Sequence, residues 1–510
     1  MQKKLFKSTS IFSAMTFISR ILGLLRDMVV AHLFGATGMT DAFYVAFKIP
    51  NFMRRLFAEG AFSQAFVPVL AEYKQQRSYR ELQQFIDYTA GTLGTILLFL
   101  TLIGVLAAPL FIMLFSPGFP QYSSRFSLAS EMLRITFPYI LFISLTAFAG
   151  GVLNTHNRFA VPAFTPVFLN LALIAAAIFL APYFQYPVQA LAWGVFIGGL
   201  IQLLFQYPFL KHINLVPRFK WRWRDPGVQR VLKLMLPAIF GVSIVQIGLL
   251  IDTMFASFLP QGSISWLYNS ERLMMFPLGV FGVAIATVIL PHLAKRFAEQ
   301  SEHEYSATMN WAIQSILLIG VPAAIGLIML SGPLLTSLFN YGEFNQYDVL
   351  MSQRSLVAYA VGVPFMMLVK VLASGFYARQ NIKTPVKIAT FALIVNIAFN
   401  FILITPLQHA GLALASALAA LINSGLLIIL LIKYKILKLK KGWGLFLLRC
   451  MIANILMVIL IMWLRAPLST WFAWHWLPRF VHLFIIIIVS TVFYLIVLRI
   501  LGLRFLERSK

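Results

Sequence analysis

Apolar residues run through this chain in long blocks separated by short polar stretches. Fourteen blocks stand out, near 10–33, 40–72, 84–113, 127–152, 161–182, 187–210, 229–258, 264–294, 307–329, 348–376, 385–405, 411–433, 444–465 and 479–500. A helix rises 1.5 Å per residue, so about 20 residues cross a hydrocarbon layer roughly 30 Å thick. Inside lipid every backbone N–H and C=O must find a partner within the protein, which a continuous helix provides by itself. The pattern predicts an all-α polytopic membrane protein with about 14 transmembrane helices.

The two halves of the pattern correspond. FVPVL (Phe66–Leu70) resembles VILPHL around Pro291, an offset of 223 from Pro68. LNTHNRFAVP ending at Pro162 parallels FYARQNIKTP ending at Pro385, again at 223. Pro109, Phe115 and Gly118 align with Pro333, Phe339 and Gly342 at 224. A repeat of six spans keeps its orientation, so the two copies are expected about an axis along the membrane normal. The expected lobes are 1–225 (spans one to six) and 226–435 (spans seven to twelve), with a cleft between them. Residues 436–510 hold two extra C-terminal helices, a candidate groove for a lipid tail. Helix breakers cluster in spans two (Pro50, Gly60, Pro68) and eight (Pro277, Gly279, Gly282, Pro291). Proline removes a backbone hydrogen bond and kinks a helix, which makes these spans candidate hinges.

Charge then orients the chain. Lys and Arg number 41 against 16 Asp and Glu, an excess that in a soluble protein would raise nucleic-acid binding. Here the basic residues alternate by loop, so no nucleic acid is expected. They fill the N-terminus (Lys3, Lys4, Lys7) and the loops holding Lys74–Arg80, Lys211–Arg224, Lys295–Arg296, Arg379–Lys383 and Lys433–Lys441, then Arg504, Arg508 and Lys510. The loops near 34–39, 183–187, 259–263, 331–347 and 406–410 carry none. By the positive-inside rule both termini are cytoplasmic, and contact with anionic membrane lipids follows. The basic start followed by a long block with Arg20 and Arg26 inside it reads as an uncleaved first span. One cysteine, Cys450, excludes an intramolecular disulfide. The eight histidines are scattered and the acids form no hydrolytic pair, so no enzyme is expected. No phosphate-binding loop is present, which leaves an ion gradient, the membrane potential or the substrate's gradient as energy source.

The chemistry lies in charges within apolar spans. A centrally placed Arg costs about 2.5–3.5 kcal/mol on insertion scales, so it normally faces protein or a wet cavity. Arg20 and Arg26 stand on span one, Lys48 and Arg54 on span two, Arg272 on span eight and Lys370 on span ten. Together they read as a basic chamber for an anionic headgroup, since guanidinium forks onto phosphate oxygens and stays charged when desolvated. The competing reading is internal salt bridging, Arg26 with Asp41 and Glu271 with Lys370. Asp27, Asp41 and Glu271 are assigned to gating or salt bridges. Asp252 on span seven, with Asn396 and Asn400 one turn apart on span eleven, forms an oxygen-rich candidate sodium site; otherwise these residues hydrogen-bond helices together.

TDAFYVAFKIPNFMRRLFAEGAFSQAFVPVLAEY (Thr40–Tyr73) resembles the MurJ (MviN) family of bacterial lipid II flippases. SRILGLLRD (Ser19–Asp27), ERLMMFPLGVFGVAIATVILP (Glu271–Pro291) and GFYARQNIKTPVKIA (Gly375–Ala389) carry the same resemblance, which covers essentially the whole chain. It implies the multidrug/oligosaccharidyl-lipid/polysaccharide exporter superfamily and a lipid II flippase working by alternating access in peptidoglycan synthesis. It further implies the bacterial cytoplasmic membrane, a monomer, and contact with the cell-wall synthesis machinery. Arg20, Arg26, Asp41, Arg54 and Arg272 fall on positions important in relatives, and Asp252, Asn396 and Asn400 match a sodium site of some members. Met275 and Asn400 depart from relatives that carry an acid there. The alternatives are a flippase for another undecaprenyl-linked oligosaccharide, a cation-coupled multidrug exporter and a scaffold; buried arginines oppose the exporter, and a scaffold has no need of them.

Overall fold

The computed structural model describes residues 2–55, 62–439 and 441–503, so Gly60, Lys440, Arg504, Arg508 and Lys510 lie outside the described residues. Every regular element described is helical. The chain forms two compact units, residues 1–265 and 266–510.

The first unit contains α1 (Gln2–Phe34), α2 (Gly38–Met53), α3 (Ser63–Gln76), α4 (Tyr79–Leu106), α5 (Ala108–Phe115) and α6 (Ser124–Thr136). It continues through α7 (Tyr139–Thr155), α8 (Ala160–Phe164), α9 (Pro166–Ala175), α10 (Gln189–His212) and α11 (Pro226–Ser257). Local chemistry sets several boundaries. Ser78 and Glu81 form a reciprocal capping box at the start of α4. Asp225 accepts from the backbone N–H groups of Gly227 and Val228, with Pro226 in the first helical position of α11. The core of this unit is aromatic: Phe62, Phe66, Phe85 and Phe148 are buried together on α3, α4, α7 and the turn before α3.

The second unit contains most of α12 (Ser263–Pro277), then α13 (Val283–Ala298), α14 (Glu302–Met329), α15 (Ser331–Phe339), α16 (Gln346–Tyr377) and α17 (Lys383–Lys433). It ends with α18 (Trp443–Leu464), α19 (Leu468–Ala473) and α20 (Trp476–Ile500). A π-helical turn, Leu278–Gly282, follows Pro277 and joins α12 to α13. Of the expected hinge residues of span eight, Gly279 and Gly282 therefore sit on an irregular turn, a feature frequent at functional sites, while Pro291 lies inside α13. In span two, α2 ends at Met53 and α3 begins at Ser63, with residues 56–61 between them outside the described residues.

Among the described residues, ten helical runs are long and apolar enough to cross a membrane. One of them, the 51-residue α17, carries two of the predicted spans. Gln408 adopts φ 51° and ψ −131° inside it, and a Cβ on Gly411 would lie 2.2 Å from the Leu403 carbonyl oxygen. Along an unbroken helix those residues would be about 12 Å apart, so the chain reverses at Gln408. The polar gap expected at 406–410 is this reversal. The predicted spans one, two and seven are also helical but not among the ten. α2 and α3, at 16 and 14 residues, are each short, and α1 carries Arg20, Arg26 and Asp27 within its apolar stretch.

Candidate functional site

Arg26 and Asp27 are 7% and 2% exposed, deep burial for two charged side chains. Arg26 curls onto its sequence neighbour: Nε donates to Asp27 Oδ1 at 3.0 Å and Nη2 to the same oxygen. Nη1 donates to Asn170 Oδ1 on α9 at 3.1 Å, and Asn170 Nδ2 donates back to the Ser19 carbonyl at 3.2 Å. A buried ion pair stitched by further hydrogen bonds thus joins α1 to α9. This corrects the Arg26–Asp41 pairing of the competing salt-bridge reading. Asp27 is the adjacent residue, and the oxygens of Asp41 are held elsewhere.

Asp41 lies in the first turn of α2, where Thr37 supplies the N-cap, and is 1% exposed. Its Oδ2 accepts from the Gly262 N–H at 2.7 Å, and its Oδ1 from the N–H and hydroxyl of Ser265 at 2.8 and 2.7 Å. Gly262 and Ser265 belong to the first unit and bracket the first residues of α12. A helix N-terminus leaves N–H groups without intrahelical acceptors and favours negative charge. The Asp41 carboxylate supplies both needs from another helix. The approach is tight: a Cβ on Gly38 would lie 2.8 Å from Gln261 Oε1 and from Arg125 Cδ. Gly262 has φ 94°, the left-handed region that glycine adopts without strain.

The other candidate cations are more accessible. In the first unit Arg20 is exposed, while Lys48 and Arg54 are half-buried; Arg54 Nε donates to Asn51 Oδ1 at 2.8 Å. Arg55, beside it, reaches Gln246 Oε1 at 3.4 Å. In the second unit Arg272 is exposed with its guanidinium carbon 5.4 Å from the Tyr268 ring centre, a cation–π distance. Lys370 is exposed and Glu271 half-buried, and no ion pair joins them among the described residues. That corrects the second expected salt bridge. The residues lie on different helices, α12 and α16, and their side chains do not meet.

The candidate sodium ligands divide between the units. Asp252 is half-buried on α11 of the first unit. Asn396 and Asn400 are buried on the first arm of α17, with Asn400 Nδ2 donating to Asn396 Oδ1 and Asn396 Nδ2 to Ser416 Oγ, each at 3.3 Å. Ser416 lies beyond the Gln408 reversal, so this amide pair ties the two arms of α17 together.

Sequence reasoning missed three polar anchors. Asn170, in PVFLNLALIA, is a polar residue in an apolar run and was visible as such. Asp348 caps α16 through Asn345 and also accepts from Trp266 Nε1 at 2.9 Å. Arg479, 5% exposed, donates to the carbonyls of Trp471, Thr336, Asn340 and Phe472, binding α20 to the ends of α15 and α19. No local pattern marks Arg479, because its acceptors, four backbone carbonyls and the Asn340 side-chain oxygen, are brought in by packing.

A family profile described as "Lipid II flippase MurJ" matches residues 30–483. The "Probable lipid II flippase MurJ" of Haemophilus influenzae is 45% identical over 503 residues, covering 96% of this chain and 98% of that protein. The "Lipid II flippase MurJ" of Burkholderia cenocepacia is 44% identical over 463 residues, 90% of each chain. A solved structure described as "Lipid II flippase MurJ, inward closed conformation" superposes with a TM-score of 0.80 at 29% identity, covering 96% of this chain and 98% of that one. An inward-facing multidrug transporter of the MATE family shares the fold at TM-score 0.69 and 14% identity, over 83% of this chain and 97% of its own.

Proposed function

Because this chain belongs to the MurJ family of lipid II flippases, it is a multi-pass transporter of lipid II rather than an enzyme, and we propose that it works by alternating access. The proposed movement carries lipid II from the inner to the outer leaflet of the bacterial cytoplasmic membrane, with both protein termini cytoplasmic. The proposed moving parts are two six-span lobes, 1–225 and 226–435, among fourteen spans, with the last two spans guiding the lipid tail. The protein acts as a monomer in this reading, recruited to the cell-wall machinery. Arg20 and Arg272 offer exposed guanidinium groups to the diphosphate of lipid II, supported by Lys48, Arg54 and Lys370. Planar forks suit that group because two N–H donors meet two oxygens at once.

The Asp41 clasp carries the proposal. Ser265 is 224 residues from Asp41, the offset of the sequence repeat, so the clasp joins equivalent positions of the two copies. Such contacts fall beside the axis that relates the copies, where lobes that rock must part and meet. The loops there lack basic residues, consistent with the outer face. A buried carboxylate holding two N–H groups and a hydroxyl shuts that rim, and lipid II leaves only when it lets go.

The test is a reversible lock. Cysteines replace Gly38 and Gln261 after Cys450→Ala, because Cys450 is the only native thiol. Gln261 is a better partner than Gly262, whose backbone a cysteine would strain. Oxidation should stop lipid II flipping in vesicles, and reductant should restore it. Equal flipping by fully crosslinked and reduced protein would refute rocking about this rim.

Coupling is the second part of the proposal. The proposed coupling ion is sodium, for which Asp252, Asn396 and Asn400 offer the oxygen donors a hard cation takes, although it would have to compete with the Asn400–Asn396 hydrogen bond. If sodium binds the folded state, it should raise the melting temperature by mass action, and Asp252→Asn should remove the shift. Equal responses to sodium, potassium and choline would end the sodium reading and leave membrane potential, about 2.3 kcal/mol per charge per 100 mV, as the source.

A further inference from the structure

The segment Arg218-Phe219-Lys220-Trp221-Arg222-Trp223-Arg224, between α10 and α11, alternates basic and aromatic residues without a break. It has no helical structure, and all seven side chains are exposed. Trp221 and Trp223 are 55% and 46% exposed, unusual for the largest apolar side chains unless something covers them.

The ribbon is nevertheless firmly seated. One stripe of α4, formed by Gln83, Asp87, Gly91 and Gly94, holds it at successive steps of four, four and three residues. Gln83 Nε2 donates to the Val216 carbonyl at 3.1 Å. Asp87 Oδ1 accepts from the Arg218 N–H at 2.9 Å, and its Oδ2 pairs with Lys220 Nζ at 3.3 Å. A Cβ on Gly91 would strike the Lys220 backbone at 2.3 Å, and one on Gly94 the Phe219 ring at 2.9 Å. The two glycines therefore let the ribbon lie flush on the helix. Arg222 donates to the Tyr88 hydroxyl at 3.0 Å. Seating consumes the Lys220 charge and one donor of Arg222, while the side chains of Arg218 and Arg224 take no part in it.

We propose that this ribbon is a docking site for the headgroups of anionic phospholipids. A seated platform that presents indole rings beside guanidinium groups, directly following α10, which is long and apolar enough to cross a membrane, matches the lipid–water interface. Trp settles at headgroup depth, and each basic residue near an anionic surface contributes about 1 kcal/mol. The inference rests on the ribbon and on the chain being a membrane protein, and not on the orientation or mechanism proposed above.

The test reads thermal stability of the detergent-solubilised full chain, so a wrong transport mechanism would not alter it. Short-chain phosphatidylglycerol should raise the melting temperature of the parent, and phosphatidylcholine should do so much less. Removing two charges in Arg218→Gln/Arg224→Gln should weaken the phosphatidylglycerol response about 25-fold, at roughly fivefold per charge. Arg218→Lys/Arg224→Lys should retain most of it, and Lys211→Gln, on neighbouring α10, should leave it unchanged. Trp221→Ala/Trp223→Ala should weaken the response to both lipids. Should the glutamine variant not be recovered folded, added salt decides: the phosphatidylglycerol response of the parent must fall with ionic strength. Three results would overturn the proposal. They are equal parent responses to the two lipids, a glutamine variant that responds like the parent, and a salt-insensitive response. A glutamine variant that loses a lipid II-induced shift while keeping the phosphatidylglycerol shift would also overturn it, and would assign the ribbon to substrate capture.

Discussion

Arg26→Ala should remove most of the folded protein from the membrane as well as its flipping activity. The guanidinium holds Asp27, which is 2% exposed, and reaches Asn170 on α9. Removing one partner of a buried ion pair leaves an uncompensated charge and costs about 3–5 kcal/mol, a large part of the stability of an ordinary domain. Neutralising the orphan should repair that loss. Arg26→Ala/Asp27→Asn should return to near-parental protein levels, because replacing both members of a pair is far cheaper than breaking it. Flipping should remain absent in the double variant if Arg26 also contacts the headgroup, the role the sequence assigns it. The measurements are membrane abundance, melting temperature and rescue of a flippase-depleted strain. A double variant that regains both abundance and rescue would make Arg26 a purely structural residue. Arg26→Lys should recover little of either, because an ammonium cannot reach Asp27 and Asn170 with separate, fixed donors.

Asp41→Ala should release the rim. The carboxylate accepts from two backbone N–H groups and one hydroxyl in a buried setting, and hydrogen bonds to a charged acceptor contribute about 1.5–3 kcal/mol. A loss of about 2 kcal/mol would lower the closed-to-open ratio roughly thirtyfold. The disulfide between cysteines at 38 and 261 should then form more slowly, by at most that factor, and flipping should fall because the outward barrier no longer holds. Asn should not rescue. It keeps one oxygen for Ser265 but turns an N–H donor toward the Gly262 N–H, setting donor against donor. Unchanged crosslinking in both variants would show that the clasp does not hold the rim. Crosslinking that slows in Ala but not in Asn would show that a neutral acceptor is enough.

Much of the fold was legible because the signals are local. Length and apolarity decide whether a segment can cross a bilayer, and a helix satisfies its own backbone there. The helices at 84–113, 187–210 and 444–465, and the reversal at 406–410, follow from composition within a few turns. Proline and glycine in span eight announced irregular backbone, and Leu278–Gly282 is a π-helical turn. The arginines within apolar spans also announced themselves, since lipid tolerates them poorly.

Partner choice was decided only by tertiary structure. Asp41 looked like a counter-ion for Arg26, yet it caps a helix that begins more than 220 residues later, because the N–H groups exposed there compete for a carboxylate as well as a guanidinium does. Arg26 took its neighbour and an asparagine 144 residues away. Glu271 and Lys370, plausible partners on spans eight and ten, do not pair, because helix rotation decides which side chains face each other. The sequence by itself determined the solvent of this protein, its helical class, its repeat and its family, since each depends on residue type and local spacing. Which charge meets which, and which helix end the Asp41 carboxylate caps, depended on packing between segments hundreds of residues apart, and no local pattern encodes that.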